Sequence, residues 1–238
     1  MTLEVMLEKA AQEIGIKLNP SQNMRFKDYM NLLLEWNEKI NLTAITDKNE
    51  IVIKHFIDSL TCYKYIKNDH KIADVGTGAG FPGVPLKILL GNQLEVYLMD
   101  SLAKRLKFLE VVAKELKLEK VVTIHGRAED IGANKEYREK YDVVVSRAVA
   151  NLGVLAEYCI PLVKVGGKML SMKGGEPEEE IETAKKAIEV LGGEVELIEK
   201  IKLPMSDITH SILVIKKIKK TPFEYPRRAG KVDKDPIK

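Results

Sequence analysis

The stretch KIADVGTGAGFPG at positions 71–83 decides the fold: a short apolar run leads into a glycine-rich loop. Residues 84–90 then continue with the apolar composition of a helix. Glycines let the backbone turn tightly and approach a ligand, and a following helix directs free N–H groups at that ligand. The stretch therefore predicts a strand, loop and helix that bind a nucleotide.

The glycine spacing narrows the class of nucleotide. Gly76, Gly78 and Gly80 form GxGxG, whereas the loop that seats a dinucleotide pyrophosphate reads GxGxxG. Asp74 lies at the end of the predicted strand, where a carboxylate can balance an ammonium or sulfonium group. S-adenosylmethionine carries such groups and NAD does not, so the loop favours S-adenosylmethionine. A tight turn without any ligand is the alternative.

Short apolar runs recur along the chain after this loop. They occupy 96–99, 121–124 and 143–145 and alternate with helical segments, an alternation that indicates a parallel sheet. Two closing runs, 195–203 and 210–218, are joined by a link with no helix signal, which favours an antiparallel pair. We predict an α/β fold.

The two ends of the chain differ from this central part. Apolar residues before the first strand recur at helical spacing, and the chain after the last strand is basic and contains prolines. We divide the chain into a helical N-terminal extension at 1–65, a cofactor-binding domain at 66–220 and a basic tail at 221–238.

Composition limits the class of protein. Apolar residues make up 45% of the 238 and charged residues 31%, as in ordinary globular proteins. No run approaches roughly 18 apolar residues, and the N-terminus lacks the apolar core of a secretory signal. Cys62 and Cys159 lie far apart, and the four histidines lack metal-ligand spacing. These features predict a cytoplasmic protein with no membrane span, disulfide or metal.

Polar residues follow the predicted strands at the edge where open α/β sheets bind ligands. Asp100 ends the second strand and either holds ribose hydroxyls or caps the next helix. Ala128 and Glu129 lie in a polar loop, 125–130, after the third strand. We expect this loop to hold adenine, although Glu129 could be a solvated surface acid.

Arg147 follows the buried valines of the fourth strand, so its charge must face a cleft or a partner. The alternative to a site role is a structural salt bridge to Asp74 or Asp58. His55 and Asp58 stand one helical turn apart. They either face the cleft with Arg147 or pin the helical extension.

The tail offers a surface for a polyanion. Four cations of the tail could contact RNA, with Phe223 and Tyr225 as stacking platforms between charges. Composition alone favours a solvated basic tail, and the family resemblance described below reverses that preference. The four cations are Arg227, Arg228, Lys231 and Lys234.

Six motifs in order along the chain resemble the bacterial RsmG family, also called GidB. The resemblance spans almost the whole sequence and implies a Rossmann-like class I methyltransferase fold. That fold has a mostly parallel seven-stranded sheet with an antiparallel final strand, preceded by the helical extension. The motifs are Trp36-Asn37, Asn41-Leu42-Thr43-Ala44-Ile45, His55 to Leu60, Asp74 to Gly83, Ser146-Arg147-Ala148 and Pro226-Arg227-Arg228-Ala229-Gly230.

The resemblance also implies an activity. Members of the family transfer a methyl group from S-adenosylmethionine to N7 of the guanine at position 527, in the 530 loop of 16S ribosomal RNA. The family's cofactor positions correspond here to Gly76, Phe81, Ala128, Glu129 and Arg147. The expected partner is 16S rRNA in the small ribosomal subunit or its assembly intermediate, bound by a monomer.

The chain departs from the family pattern at Val232, where a proline is expected, which puts the rigidity of the tail in question.

Guanine N7 carries an unprotonated in-plane lone pair, so the transfer needs positioning rather than a general base. Three alternatives remain: an NAD-dependent oxidoreductase with the same fold, a non-catalytic ribosome-binding module, and a methyltransferase for a small molecule.

Overall fold

The computed structural model describes residues 2–147, 149–175 and 177–237; Ala148 of the predicted Ser146-Arg147-Ala148 motif lies outside them. The strands are β1 (Lys71–Val75), β2 (Glu95–Asp100), β3 (Val121–His125), β4 (Tyr141–Arg147), β5 (Val163–Gly174), β6 (Gly193–Lys202) and β7 (Thr209–Lys217). They form one seven-stranded sheet in the order β3-β2-β1-β4-β5-β7-β6. Strands β1 to β5 pair in parallel, whereas β7 is antiparallel to both β5 and β6. The predicted sheet with an antiparallel final strand is confirmed.

Helices precede the sheet and cover both of its faces. They are α1 (Leu3–Glu13), α2 (Pro20–Ile40), α3 (Lys48–Glu50), α4 (Asp58–Leu60), α5 (Gly83–Leu90), α6 (Ala103–Glu115), α7 (Ala128–Ala133), α8 (Leu152–Cys159), α9 (Glu178–Val190) and α10 (Lys231–Lys234). A π-helical turn at Ile51–Ile57 joins α3 to α4. Such turns are rare and occur often at functional sites.

Local sequence explains where the first helices begin and end. Pro20 follows Asn19, whose side chain accepts from the Gln22 amide at 2.9 Å while the Gln22 side chain accepts from the Asn19 amide at 2.8 Å. This reciprocal cap satisfies two N–H groups that the helix itself leaves unpaired. Asn41 ends α2 in the left-handed conformation, and Asp47 caps α3.

The N-terminal helices pack on one face of the sheet. Phe26, Tyr29 and Phe56 are fully buried there, with the rings of Phe26 and Phe56 5.1 Å apart. They belong to a continuous apolar core that includes residues of α5, α6 and alternate positions of the central strands. Helices α8 and α9 cover the other face in a second core. The division at residue 65 remains a prediction.

One local prediction was wrong. Residues 125–130 do not form a single polar loop, because α7 begins at Ala128 directly after Arg127, which has an extended backbone. The helix is only six residues long and contains Gly132, so it offers too few turns for a periodic signal. Ala128 and Glu129 therefore stand in the first turn of a helix, where backbone N–H groups are unpaired.

The strand order reverses direction between β1 and β4, which are hydrogen-bonded neighbours. Open α/β sheets bind ligands in the crevice at the carboxyl ends of the strands on either side of such a point. None of the helices in the described part of the chain is long and apolar enough to cross a membrane.

Candidate active site

A cavity of about 460 Å³ opens at the carboxyl ends of the central strands. Its size is in the usual range for small-molecule and cofactor sites, about 300–1,000 Å³. Five of the nine predicted cofactor residues line it: Gly76, Asp100, Ala128, Glu129 and Arg147. The other four, Asp74, Gly78, Gly80 and Phe81, are not among the lining residues. The cavity thus brings together residues from the ends of β1, β2 and β4 and the start of α7.

Asp74 supports the glycine loop from behind. Its Oδ2 accepts from the Thr77 hydroxyl at 2.7 Å and from the Gly83 amide at 2.8 Å. Its Oδ1 is buried and has no hydrogen-bond partner among the described residues. Burial raises the pKa of this carboxyl to about 6, although its two donors and Arg147 act in the opposite direction. A buried carboxylate with one free oxygen fits a cationic ligand, as the methionine end of S-adenosylmethionine would supply.

The glycines of the loop are required for different reasons. Gly78 has φ of 59°, and no described atom lies closer than 3.9 Å to where a Cβ would be, so its backbone is open to a ligand. Gly80 has φ of 101°, and a Cβ there would lie 2.7 Å from the Tyr29 hydroxyl. Gly78 thus keeps the loop open, and Gly80 allows the helical extension to pack against it.

Asp100 ends β2 with both of its carboxylate oxygens bound to backbone amides. Its Oδ2 accepts from the Gly78 amide at 3.0 Å, and its Oδ1 accepts from the Leu102 amide at 2.9 Å. The first contact ties the glycine loop to the end of β2, and the second steadies the entry to α6. Asp100 also lines the cavity while being 4% exposed, a position compatible with ribose binding.

Helices α7 and α8 form the opposite wall. Glu129 is 5% exposed and lines the cavity, so it is not a solvated surface acid. Tyr158 of α8 lines the same wall and donates from its hydroxyl to Asp233 of the tail at 2.9 Å. Sequence reasoning missed Tyr158, because an aromatic residue on a short buried helix has no pattern that distinguishes it from core.

Arg147 connects the cavity to a buried polar cluster. Its guanidinium donates to Asp58 Oδ2 at 2.7 Å and to the Lys54 carbonyl at 3.1 Å. Asp58 is 1% exposed and also binds His210 Nδ1 of β7 at 2.6 Å. The salt bridge to Asp58 and the position at the cavity are therefore both present. His210 was not predicted, since it lies 152 residues from Asp58 in the chain.

His55 lies between Arg147 and the glycine loop. Its ring stacks on Phe81 with centroids 4.5 Å apart, and Arg147 lies 5.0 Å from the same Phe81 ring. Burial lowers the pKa of His55 to about 4, and the nearby positive charge of Arg147 acts in the same direction. The ring is therefore neutral near pH 7. Arg147 always donates, and it contacts Nδ1 at 3.2 Å. We therefore assign the ring hydrogen to Nε2, which then donates to the Thr43 hydroxyl at 2.8 Å.

The predicted RNA-binding residues divide into two groups. Arg227 is held by buried Glu157, with its side chain only 16% exposed. Arg228, Lys231 and Lys234 are exposed. Val232, the departure from the family pattern, is fully buried and anchors α10 in the second core. RNA binding by all four cations remains a prediction.

Within residues 2–147, 149–175 and 177–237, no group of three or more His, Cys, Asp or Glu is arranged to hold a metal ion. The two cysteines are buried and free.

The sheet order, the glycine loop with its free carboxylate oxygen and the cavity beside it define a Rossmann-like class I methyltransferase. A solved structure with this fold, TYW2 from M. jannaschii in complex with AdoMet, is similar with a TM-score of 0.51 and 19% identity. The match covers 68% of this chain and 76% of that chain. Residues 22–209 match the family described as GidB, rRNA small subunit methyltransferase G. The chain belongs to this family.

Two curated relatives, both called ribosomal RNA small subunit methyltransferase G, match at full length. The one from Alkaliphilus oremlandii is 57% identical and the one from Alkaliphilus metalliredigens 51% identical, each over 100% of both chains. The chain is therefore an rRNA methyltransferase that uses S-adenosylmethionine. The predicted family, fold, enzyme class and cofactor are confirmed, and the oxidoreductase and the non-catalytic module are not supported.

Proposed function

We propose that this enzyme methylates N7 of the guanine at position 527, in the 530 loop of 16S rRNA, and that it acts in the cytoplasm as a monomer. The observation that carries the proposal is the position of Arg147. This residue lines the cofactor cavity and also belongs to the polar cluster of His55, Asp58 and His210. A target guanine placed against that cluster would approach the methyl donor from the side opposite the wall formed by α7 and α8.

Methyl transfer to guanine N7 needs no general base, and the polar cluster supplies none. Both ring nitrogens of His55 are engaged, by Arg147 and Thr43, and both oxygens of Asp58 are engaged, by Arg147 and His210. Such a network fixes the direction of side chains rather than accepting a proton in the reaction. We assign His55 and Asp58 the role of orienting Arg147, with Arg147 contacting the reacting groups.

Asp74 would hold the cationic end of the methyl donor, Asp100 the ribose, and Ala128 with Glu129 the adenine. S-adenosylmethionine supplies an electrophilic methyl group on a sulfonium. The protein's part is to align that methyl group with guanine N7 and to exclude water from the cavity. The exposed cations of the tail would bind phosphates of the RNA.

The test is to add the purified enzyme and methyl-labelled S-adenosylmethionine to small ribosomal subunits from a strain that lacks the enzyme. Label at one guanine in the 530 loop, as 7-methylguanosine, is the expected result. Naked 16S rRNA assayed in parallel decides between RNA alone and the assembled particle. The Arg147→Ala variant is the control for activity from contaminating enzymes. Label at another nucleotide or another atom would refute the assignment.

A further inference from the structure

The first residues of the tail are held rigidly against the domain. The Arg138 guanidinium donates to the backbone carbonyls of Thr221 at 2.8 Å, Pro222 at 3.0 Å and Tyr225 at 2.6 Å. The Thr221 amide donates to the Glu139 carboxylate at 2.9 Å. One arginine side chain thus fixes the backbone on both sides of position 223.

Phe223 projects from this fixed backbone into solvent. It is 96% exposed, and the next most exposed large apolar residue described, Met24, is 66% exposed. The Arg138 guanidinium lies 5.9 Å from its ring centroid. A ring held out on an ordered segment loses no further backbone freedom on binding, which is the property of a preorganised contact. Covering it would remove a large apolar area from water.

The surroundings of Phe223 indicate which partner fits. Lys219, Lys220 and Arg228 are exposed near it in sequence, and none of them forms an ion pair with another described residue. A protein pocket would require apolar neighbours around the ring, but the residues adjoining it in this exposed stretch are mostly charged or prolines. Arg138 faces the ring, and the exposed cations of the stretch outnumber its one exposed acid, Glu224. Such a ring suits unpaired nucleobases, which stack on it while their phosphates bind the cations.

This segment also lies close to the cofactor site without being part of it. Pro226 packs beside Gly132 of α7, where a Cβ would be 3.1 Å from the Pro226 ring. Helix α7 provides Ala128 and Glu129 to the cavity wall, so the tail covers the outer side of that wall.

We propose that Phe223 is a stacking platform for an unpaired base of the RNA substrate, at a contact separate from the methyl-transfer cavity. The proposal rests on the proposed function, since it requires an RNA substrate. Of the two aromatic residues that the sequence suggested, the fixed backbone and the exposure single out Phe223, since Tyr225 is half-buried.

The first test compares Phe223→Ala, Phe223→Trp and the matched control Met24→Ala for binding to small ribosomal subunits from a strain lacking the enzyme. We expect Phe223→Ala to raise Kd about 5- to 100-fold, the effect of losing one stacked base. Phe223→Trp and Met24→Ala should keep the wild-type Kd. Affinity for S-adenosylmethionine should be equal in all four proteins.

The second test identifies the partner by ultraviolet crosslinking of Phe223→Trp to the same particles. A crosslink to an rRNA nucleotide supports the proposal, and a crosslink to a ribosomal protein overturns it. An unchanged Kd for Phe223→Ala, with wild-type methylation intact, overturns this inference alone. Failure of the wild-type enzyme to methylate the particle would instead reject the proposed function.

Discussion

Replacing Arg227 with alanine should destabilise the fold, although a basic tail residue would ordinarily be expected to tolerate substitution. Its partner Glu157 is buried in α8, with a side chain 1% exposed. The Arg227 Nε and NH2 groups donate to the two carboxylate oxygens at 2.7 to 3.2 Å, and the Arg227 amide donates to Oε1 at 2.7 Å. The substitution leaves a buried carboxylate with only the backbone donor.

Breaking a buried ion pair by removing one partner costs about 3–5 kcal/mol. The Arg227 side chain is 16% exposed, so water can reach the vacated space, and we expect the lower value, about 3 kcal/mol. For a chain of this size that corresponds to a fall in Tm of about 6–12 °C. Thermal unfolding followed by circular dichroism measures it.

Two further variants make the test specific. Arg228→Ala removes a neighbouring exposed cation and should change stability by less than about 0.5 kcal/mol. It should nevertheless reduce the slope of log K for RNA binding against log salt concentration by about one, the effect of losing one phosphate contact. Glu157→Leu combined with Arg227→Ala should recover most of the lost stability, because no buried charge is left unpaired. An Arg227→Ala protein with wild-type Tm would refute the reasoning.

Three other outcomes follow from the site. Arg147→Ala should reduce methyl transfer at least about 100-fold, with the far-ultraviolet circular dichroism unchanged; wild-type turnover would remove Arg147 from the mechanism. Because the pKa of Asp74 is raised to about 6, the Kd for S-adenosylmethionine should rise as pH falls below 6, and calorimetry on Asp74→Asn should show a flat profile there. Because the pKa of His55 is lowered to about 4, only the unfolded chain binds this proton between pH 6.5 and 4. His55 therefore costs stability as pH falls through that window, and in chemical denaturation the stability of His55→Gln relative to wild type should rise there; a constant difference would contradict the assigned pKa.

Local sequence was sufficient for most elements of the sheet and the loop. Helix α9 (Glu178–Val190) is an example, because an acidic first turn and a following glycine pair mark its ends in the sequence. The glycine spacing and Asp74 indicated the cofactor, since the requirements of a tight turn and a cation partner are met within ten residues. Helix α7 was missed because six residues carry no periodicity.

The contacts that complete the site depend on residues far apart in the chain. His210 meets Asp58, Tyr158 meets Asp233, and Arg227 meets Glu157 across separations of 152, 75 and 70 residues. The sequence indicated that the charge of Arg147 needed a carboxylate partner, but it could not distinguish Asp74 from Asp58 as that partner.

The sequence by itself determined the strands, the glycine loop and the cofactor class, because these follow from hydrophobic period and from residues adjacent in the chain. Only the tertiary structure decided that Asp58 pairs with Arg147 and that Arg227 anchors the tail instead of facing solvent. The physical reason is that a buried charge is stabilised by whichever opposite charge the packing of helices brings within hydrogen-bond distance. That packing is a property of the whole core, and no local pattern records it.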